Sequence, residues 1–229
     1  MSTLKPVTHV IFDMDGLLLD TERLYTEATQ VIASQYGKVY TWEIKVQLMG
    51  MKGHMAAQHI IDSLQLPLTV DEYLAKIIEQ YNSIFPNAKA LPGADKLVQH
   101  LHKHKIPIAI ASGGAQDSFE LKTTNHKELV SKFSHVVLAS TDSEVKNGKP
   151  APDVFLVCAD RFPDKPKPEQ CLVFEDAPNG VAAGVAAGMQ VVMVPDPRMK
   201  EEMTKGASLV LKSLEDFKPE LFGLPPYDA

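Results

Sequence analysis

Residues 9–22 read HVIFDMDGLLLDTE. An apolar, β-type run, residues 10–12, is followed at once by two aspartates, Asp13 and Asp15, with one residue between them. Two anions so close together at the end of a buried strand repel each other unless a positive charge lies between them. The stretch therefore predicts a strand whose carboxyl end meets a cation, although on its own it also fits an acidic turn or a calcium loop.

The calcium-loop interpretation does not fit the spacing of the side chains. An EF-hand loop needs oxygen ligands at its fifth and twelfth positions, and counting from Asp13 these positions hold Leu17 and Leu24. A solvated acidic turn remains the simplest alternative for this stretch. Other parts of the sequence are needed to distinguish an acidic turn from a pair of aspartates that bind a cation.

Four further runs share the apolar, strand-like character of the first. Together the five runs cover residues 7–13, 106–112, 135–139, 171–176 and 190–194. Strands that are apolar throughout are typical of parallel sheets buried on both faces. Segments of helical length lie between the later runs, at 93–105, 152–162 and 178–188. This alternation predicts an α/β fold with a doubly wound parallel sheet.

The interval between the first two strands is too long for a simple crossover. Strand 1 ends near Asp13 and strand 2 begins near Ile106, whereas a crossover needs only about a dozen residues. The interval has helical periodicity, and Thr69 and Glu72 form a capping box at one helix start. We therefore predict a small helical domain at 19–91, inserted into a core domain formed by 1–18 and 92–229.

Composition limits the function classes. The 229 residues are 45% hydrophobic and 23% charged, and 23 basic against 29 acidic side chains give a formal charge of -6. This balance disfavours nucleic-acid polymers and anionic membranes as partners. The N-terminus has no apolar signal segment, and Cys158 and Cys171 lie in apolar runs without metal-ligand spacing. We expect a cytoplasmic protein with two reduced core thiols.

Polar groups are concentrated where the predicted strands end. These groups are Asp13 and Asp15 after strand 1, Ser112 with Gly113 and Gly114 after strand 2, Lys149 after strand 3, and Glu175 with Asp176 after strand 4. Ligands of open α/β sheets bind at the carboxyl ends of the strands. We therefore expect these groups to meet in one site.

Their combined chemistry points to phosphoryl transfer. Asp13, Asp15 and Asp176 would bring three carboxylates to one point, and Mg²⁺ would relieve the repulsion. The hydroxyl of Ser112, the amides of the two glycines after it and the ammonium group of Lys149 would bind phosphate oxygens. A metal, a phosphate cradle and a spare carboxylate make a phosphoryl-transfer site.

Four segments, in this order and spacing, resemble the four motifs of the haloacid dehalogenase superfamily. They are DMDGLLLD (13–20), the strand-end Ser112, Lys149 in GKPAPD, and EDAPNG (175–180). The resemblance covers essentially the whole core domain, and it implies that the insert is the four-helix cap that closes over the site. Four ordered motifs are specific where any one alone would be weak.

The resemblance also implies roles for single residues. Asp13 would be the nucleophile that forms an aspartyl-phosphate, and Asp15 the general acid and base. Asp13, the main-chain carbonyl of Asp15, and Asp176 would hold Mg²⁺, with Glu175 in a supporting position. Ser112, Gly113 and Lys149 would bind the transferring phosphoryl group.

The cap segments DTERLYTEAT (20–29) and YGKVY (36–40) and the tail at 209–229 are similar to the pseudouridine 5'-phosphatase group of eukaryotes. This similarity implies a small phosphorylated metabolite as substrate, in the first place pseudouridine 5'-phosphate. One departure is that Gly113 and Gly114 stand where the family is expected to have hydroxyl residues. We also consider Lys52, between two cap helices, as a substrate contact.

Two other function classes compete with a phosphatase. A sugar phosphomutase with the same core and cap would use the same aspartyl-phosphate, but such mutases have a histidine five residues after Asp20, where this chain has Tyr25. A binding protein without catalysis is disfavoured because the predicted nucleophile, acid, lysine and metal carboxylates are all present. The oligomeric state expected is a monomer or a weak homodimer.

Overall fold

A computed structural model describes residues 4–48, 51 and 53–228. Six strands of this part of the chain form one parallel sheet in the order β3-β2-β1-β4-β5-β6. The strands are β1 (His9–Phe12), β2 (Ile108–Ser112), β3 (Val136–Leu138), β4 (Cys171–Glu175), β5 (Gln190–Met193) and β6 (Leu209–Val210). The predicted doubly wound parallel sheet is confirmed, and β1 lies at its centre.

Helices cover the sheet and fill the interval between β1 and β2. They are α1 (Thr21–Ser34), α2 (Trp42–Gln47), α3 (Gly53–Leu64), α4 (Val70–Ile84), α5 (Ala94–Lys103), α6 (Gln116–Lys122), α7 (Lys127–Val130), α8 (Asp153–Asp160) and α9 (Pro178–Ala186). Short 3₁₀ turns lie at Phe85–Asn87, Pro168–Gln170, Glu201–Thr204, Leu214–Asp216 and Pro219–Phe222. Within these bounds, none of the helices is both long and apolar enough to cross a membrane.

The sheet is buried on both faces, as its apolar strands require. Along β1, Val10 and Phe12 join one hydrophobic cluster while Ile11 joins the other, because successive side chains point to opposite faces. Helix α5 packs on the first face, and α8 and α9 pack on the second. Burial on two faces gives β1 a rigid frame, so the residue that follows Phe12 is held in a defined place.

Helices α1 to α4 have a hydrophobic cluster of their own. Its buried members include Ala28, Ile32, Ile60, Ile61, Leu64, Tyr73 and Ile77. The capping box at α4 is confirmed, since Glu72 N donates to Thr69 Oγ1 over 3.3 Å and Thr69 N donates to Glu72 Oε2 over 2.8 Å. We refer to these four helices as the cap, and the boundaries 19–91 stay a prediction.

The two connections between cap and sheet run side by side. Leu19 and Ala90 form an antiparallel bridge, and Asp20 N donates to Lys89 O over 2.8 Å. Gly93, at the return to the core, has φ +85°, and a Cβ there would lie 2.5 Å from the main-chain nitrogen of Glu215. The cap therefore joins the core through one narrow pair of segments close to the end of β1.

Three elements are absent from the sequence prediction. Strand β6 is only two residues long, and helices α6 and α7 are short and mostly polar at their surfaces. Elements of this length show little periodicity, because one turn of helix or two residues of strand cannot display a repeating apolar face. Of the three, α6 matters for the site because it carries Lys122.

Candidate active site

Strand order brings the predicted site residues together. Because β1 lies between β2 and β4, Phe12 is in register with Ile110 on one side and with Phe174 on the other. The next residue, Asp13, donates its main-chain N–H to Phe174 O over 2.9 Å. The carboxyl ends of three neighbouring strands therefore present Asp13, Ser112 and Glu175 at one edge of the sheet.

Lys149 lies between two of these carboxylates. Its Nζ is 2.5 Å from Asp13 Oδ1 and 2.6 Å from Glu175 Oε1, and it also donates to Ala111 O over 3.1 Å. Burial alone would lower the pKa of this lysine, but the two carboxylates outweigh burial and raise it. Lys149 is therefore a fixed positive charge beside Asp13.

Asp13 is a buried carboxylate with a raised pKa. Burial is the main cause and raises the pKa to about 7, while Lys149 opposes this shift and the charges of Glu175 and Asp15 add to it. The lysine thus compensates the buried negative charge only in part. A further cation at this edge would stabilise the ionised form of Asp13.

The second carboxylate beside Lys149, Glu175, is held by the turn that starts α9. Its Oε2 accepts from the main-chain N–H groups of Asp176 over 3.1 Å and of Ala177 over 3.2 Å. A Cβ on Gly180 would lie 1.8 Å from this carboxylate, so only glycine fits there. Glu175 therefore acts as a support that positions Lys149 and holds the turn before the helix.

Asp176 packs against the turn that follows Asp15. Gly16 has φ +74°, as expected for a sharp turn, and a Cβ on it would lie 2.3 Å from Asp176 Oδ2. Burial and the nearby charges of Glu175 and Asp13 raise the pKa of Asp176 well above its usual range. A partly buried carboxylate that forms no salt bridge with a described residue and lies next to a main-chain turn is a suitable ligand for a hard cation.

No three Cys, His, Asp or Glu side chains among the described residues form a metal-binding cluster. The resemblance implies a set with fewer side chains: Asp13, the main-chain carbonyl of Asp15, and Asp176. Two carboxylates and a carbonyl fit Mg²⁺, which keeps several waters and binds substrate phosphate. The donor chemistry of the site therefore fits the metal, and the ligand assignment stays a prediction.

The side chain of Asp15 has hydrogen-bond partners different from those of Asp13. Its Oδ1 accepts from Lys122 Nζ over 2.6 Å and from Thr21 Oγ1 over 2.8 Å, and its Oδ2 accepts from Ser112 Oγ over 3.3 Å. Burial would raise its pKa, but the charge of Lys122 and these hydrogen bonds outweigh burial and lower the pKa. The charge of Asp15 is therefore met by Lys122, and the convergence of all three aspartate side chains on one cation stays a prediction.

The loop after β2 differs in one detail from the prediction. Ser112 is fully buried, and its Oγ accepts from Gly114 N over 3.1 Å, so the Gly114 amide is already engaged. Gly113 lines the open space of the site, and a Cβ on it would meet nothing within 4 Å. Ser140, in the loop after β3, donates its hydroxyl to Gly113 O over 2.7 Å and supports this turn.

A cavity of about 1000 Å³ connects these groups with the cap. Its lining on the cap side includes Glu22, Tyr25, Thr29, Tyr40, Lys45, Leu48, Met51, Ile60 and Tyr81. Lys45 is buried there, with Nζ 2.9 Å from Glu22 Oε2 and hydrogen bonds to Glu22 O and Thr26 Oγ1. Lys52, the substrate contact considered from the sequence, lies outside the described residues.

The sequence analysis missed several residues that the structure places at the site. Lys122 and Lys45 sit in helices, where lysine is normally on the exposed face, so no local signal sets them apart. Thr21 and Glu22 lie within the opening stretch, next to Asp20, and their part in the site depends on how α1 returns over the end of β1. A hydroxyl and a carboxylate at the start of that helix are the only sequence cue, and they fit capping equally well.

Comparison with known proteins shows which family the chain is similar to. Residues 10–194 match the family model described as haloacid dehalogenase-like hydrolase. The Drosophila melanogaster protein named "Probable pseudouridine-5'-phosphatase" is 54% identical over 98% of this chain and 97% of its own length. The Arabidopsis thaliana protein named "(DL)-glycerol-3-phosphatase 2" is 47% identical over 97% of this chain and 93% of its own length.

A solved structure with the same fold is a haloacid dehalogenase family hydrolase from Deinococcus radiodurans with bound phosphate and sodium. It superimposes with a TM-score of 0.81 at 25% identity and covers 97% of this chain and 99% of its own.

Proposed function

Because the chain belongs to the haloacid dehalogenase-like hydrolase family and is a phosphoric monoester hydrolase, we propose that it works through an aspartyl-phosphate on Asp13. The observation that carries this proposal is the place of Asp13 at the end of the central strand, 2.5 Å from Lys149 and facing the cavity. A carboxylate held beside a fixed cation is suited to attack a phosphoryl group that the same cation attracts.

Asp13 and Asp15 have different roles in the two half-reactions. In the first, an oxygen of Asp13 bonds to phosphorus and the bond from phosphorus to the ester oxygen breaks. That oxygen takes the proton that Asp15 carries in the substrate complex, where the negative charge of the phosphoryl group favours the protonated carboxyl. In the second, Asp15 takes a proton from water, the water oxygen bonds to phosphorus, and the bond from phosphorus to Asp13 breaks. Inorganic phosphate leaves, and both aspartates return to their first state.

The remaining groups serve the phosphoryl oxygens. Ser112, Gly113 and Lys149 would bind these oxygens, and the hydrogen bonds of Lys149 to Asp13, Glu175 and Ala111 O would keep its charge fixed during transfer. Asp13, the Asp15 carbonyl and Asp176 would hold Mg²⁺, the ion that phosphatases of this superfamily generally use. Bound Mg²⁺ would neutralise charge on the transferring group.

The substrate is a small phosphorylated metabolite, and we infer that it is pseudouridine 5'-phosphate. The supporting points are the name of the relative with 54% identity and the character of the cap side of the cavity. Tyr40 and Tyr81 offer aromatic faces for a base, while Lys45, Glu22 and Thr29 offer polar groups for its edge. Glycerol 3-phosphate is a second candidate, favoured by the relative named as a glycerol-3-phosphatase.

A mutase is less well supported than a hydrolase. At the position where sugar phosphomutases have a histidine, Tyr25 is packed against Tyr81 and Phe85, and its hydroxyl accepts from Lys122 Nζ over 2.7 Å. Burial is the main cause that raises the pKa of this phenol well above its usual range, so it does not exchange protons near neutral pH. The cytoplasmic location, the absence of nucleic-acid and membrane partners, and the monomeric or weakly dimeric state stay predictions.

Phosphate release across a panel of monophosphates tests this proposal. The panel should contain pseudouridine 5'-phosphate, its uridine isomer and glycerol 3-phosphate, each with Mg²⁺ and with a chelator, and with Asp13→Asn as the inactive control. We expect the highest kcat/KM for pseudouridine 5'-phosphate. A higher value for glycerol 3-phosphate would overturn the substrate assignment, and turnover by Asp13→Asn would overturn the nucleophile.

A further inference from the structure

Lys122 is a buried cation that none of the assigned roles uses. It ends α6, its side chain is 0% exposed, and its Nζ contacts Asp15 Oδ1 at 2.6 Å. Moving an ammonium group out of water is strongly unfavourable unless the group is paired and hydrogen-bonded. The structure therefore has to provide partners for Lys122, and their identity is informative.

Besides Asp15, Lys122 contacts two aromatic residues in the part of the described chain between β1 and β2. The Nζ donates to Tyr25 OH in α1 over 2.7 Å, and it lies 4.8 Å from the ring centroid of Tyr25 and 4.9 Å from that of Phe85. Tyr25 is near the start of the cap and Phe85 directly follows its last helix. Lys122 thus connects one carboxylate of the core with both ends of the cap.

The two oxygens of Asp15 have different surroundings as a result. Lys122 and Thr21 both donate to Oδ1, at 2.6 and 2.8 Å. Among the residues that the structure describes, the other oxygen, Oδ2, accepts one longer bond of 3.3 Å from Ser112, and a Cβ on Gly114 would lie 4.0 Å from it. Oδ2 therefore faces the strand-end loop that is proposed to bind the phosphoryl group.

We propose that Lys122 is a positioning residue that holds Oδ1 of Asp15, so that Oδ2 is the oxygen that exchanges the proton, and that Tyr25 ties this orientation to the cap. This inference rests on the proposed function, because it assumes that Asp15 is the acid and base. A lysine that only stabilised the fold would have no reason to bind the proton-transfer residue and the cap through one nitrogen. Loss of Lys122 would leave the nucleophile and the phosphate site intact but would misplace Asp15.

The test compares two esters that differ in their need for an acid. 4-Nitrophenolate leaves phosphorus without a proton more readily than phenolate does, so phenyl phosphate depends more on Asp15 than 4-nitrophenyl phosphate. For Lys122→Met we expect the ratio of kcat/KM for 4-nitrophenyl phosphate to kcat/KM for phenyl phosphate to rise roughly tenfold or more. The ratio is formed from kcat/KM because this constant reports the steps up to cleavage of the ester bond.

Two further variants keep the test independent of folding. Tyr25→Phe retains the lysine and removes only the hydroxyl that holds it, and it should raise the ratio by about threefold, the value of one hydrogen bond. Val98→Ala, in the buried core at α5, should lower the melting temperature and leave the ratio unchanged. In an Asp15→Ala background, Lys122→Met should cause no further fall in kcat/KM for phenyl phosphate.

The possible outcomes separate the two proposals. Wild-type protein that hydrolyses neither ester, or Asp13→Asn that hydrolyses both, would contradict the proposed function itself. If the wild type is active and Asp13→Asn is not, the Lys122 role stands when the ratio rises in Lys122→Met and Tyr25→Phe. It is overturned when the ratio in both variants stays near that of the wild type, or when both esters lose activity equally.

Discussion

Two lysines contact Asp13 and Asp15, and they differ in what surrounds them. Lys149 contacts Asp13 and Glu175, and its hydrogen bonds to described residues go to the core. Lys122 contacts Asp15 and extends to the cap through Tyr25. The proposed nucleophile thus has its lysine partner in the core, whereas the lysine beside the proposed acid and base also contacts the cap. If these roles hold, attack on phosphorus and proton transfer to the leaving group are supported by different parts of the molecule.

The largest effect that separates the two lysines is expected from Lys149→Met. Removing this charge leaves Asp13 and Glu175 as neighbouring buried carboxylates and withdraws a cation from the phosphoryl group. We expect kcat/KM to fall by about 100- to 1000-fold for phenyl phosphate and 4-nitrophenyl phosphate alike. Steady-state kinetics with both esters measure this, and a loss confined to phenyl phosphate would contradict the separation of roles.

The Glu175 carboxylate, which positions Lys149, should be displaced by a substitution at Gly180. In Gly180→Ala the new methyl would overlap the Glu175 carboxylate, since a Cβ at this position would lie 1.8 Å from it. We expect the free energy of unfolding to fall by about 1–3 kcal/mol and kcat/KM to fall by roughly 10- to 100-fold, because Lys149 shifts with Glu175. Thermal melts and kinetics check both values.

Gly148→Ala is the matched control for that variant. A Cβ on Gly148 meets nothing within 4 Å, so its melting temperature should stay close to that of the wild type. Equal melting temperatures for Gly180→Ala and Gly148→Ala would show that the Glu175 carboxylate is not confined as described.

The sequence predicts the position of a site residue when that position depends on residues nearby in the chain. Asp13 follows an apolar run, and Gly16 follows a pair of carboxylates. Residues close together in the sequence therefore predict the strand, the turn after it and the place of Asp13 at the end of the strand. The position of Lys149 also agreed with expectation, because it precedes a helix start after a strand. In these cases a local pattern and the strand order together determine where the side chain lies.

The surroundings of Lys122 and Gly114 could not be predicted from the sequence. Lys122 is covered by the 3₁₀ turn at Phe85–Asn87 and by Tyr25 of α1, which lie far from α6 in the chain. Local periodicity therefore cannot predict its burial. The Gly114 amide was expected to be bare, yet the buried hydroxyl of Ser112 accepts from it. Both outcomes depend on which polar groups find partners after folding.

The smallest expected effect is a pH-dependent stabilisation by Mg²⁺. Burial raises the pKa of Asp13 from 3.8 to about 7 in the metal-free protein, and the pKa of Asp176 is raised as well. A carboxyl with a raised pKa favours the folded state at pH below its unfolded pKa, and this contribution is lost as pH rises through the folded value. Metal-free protein should therefore lose stability between about pH 4 and pH 7 through Asp13, and Asp176 should act in the same direction as pH rises.

Mg²⁺ should restore that stability where both groups are ionised. We expect Mg²⁺ to raise the melting temperature by a few degrees (about 2–4 °C per kcal/mol) more at pH 8 than at pH 5.5. Asp176→Asn should reduce the difference between the two pH values. An equal increase at both pH values would contradict the assignment of Asp13 and Asp176 to the metal.

The most direct test of the central claim is to trap the phosphoryl group on the protein. Wild type, Asp15→Ala and Lys122→Met would be mixed with ³²P-labelled 4-nitrophenyl phosphate and quenched in acid, and the labelled peptide would be identified. We expect the label on the peptide that contains Asp13, with more label in both variants than in the wild type because their second half-reaction is slower. Phosphate release without any label on that peptide, or label on a different peptide, would contradict the account.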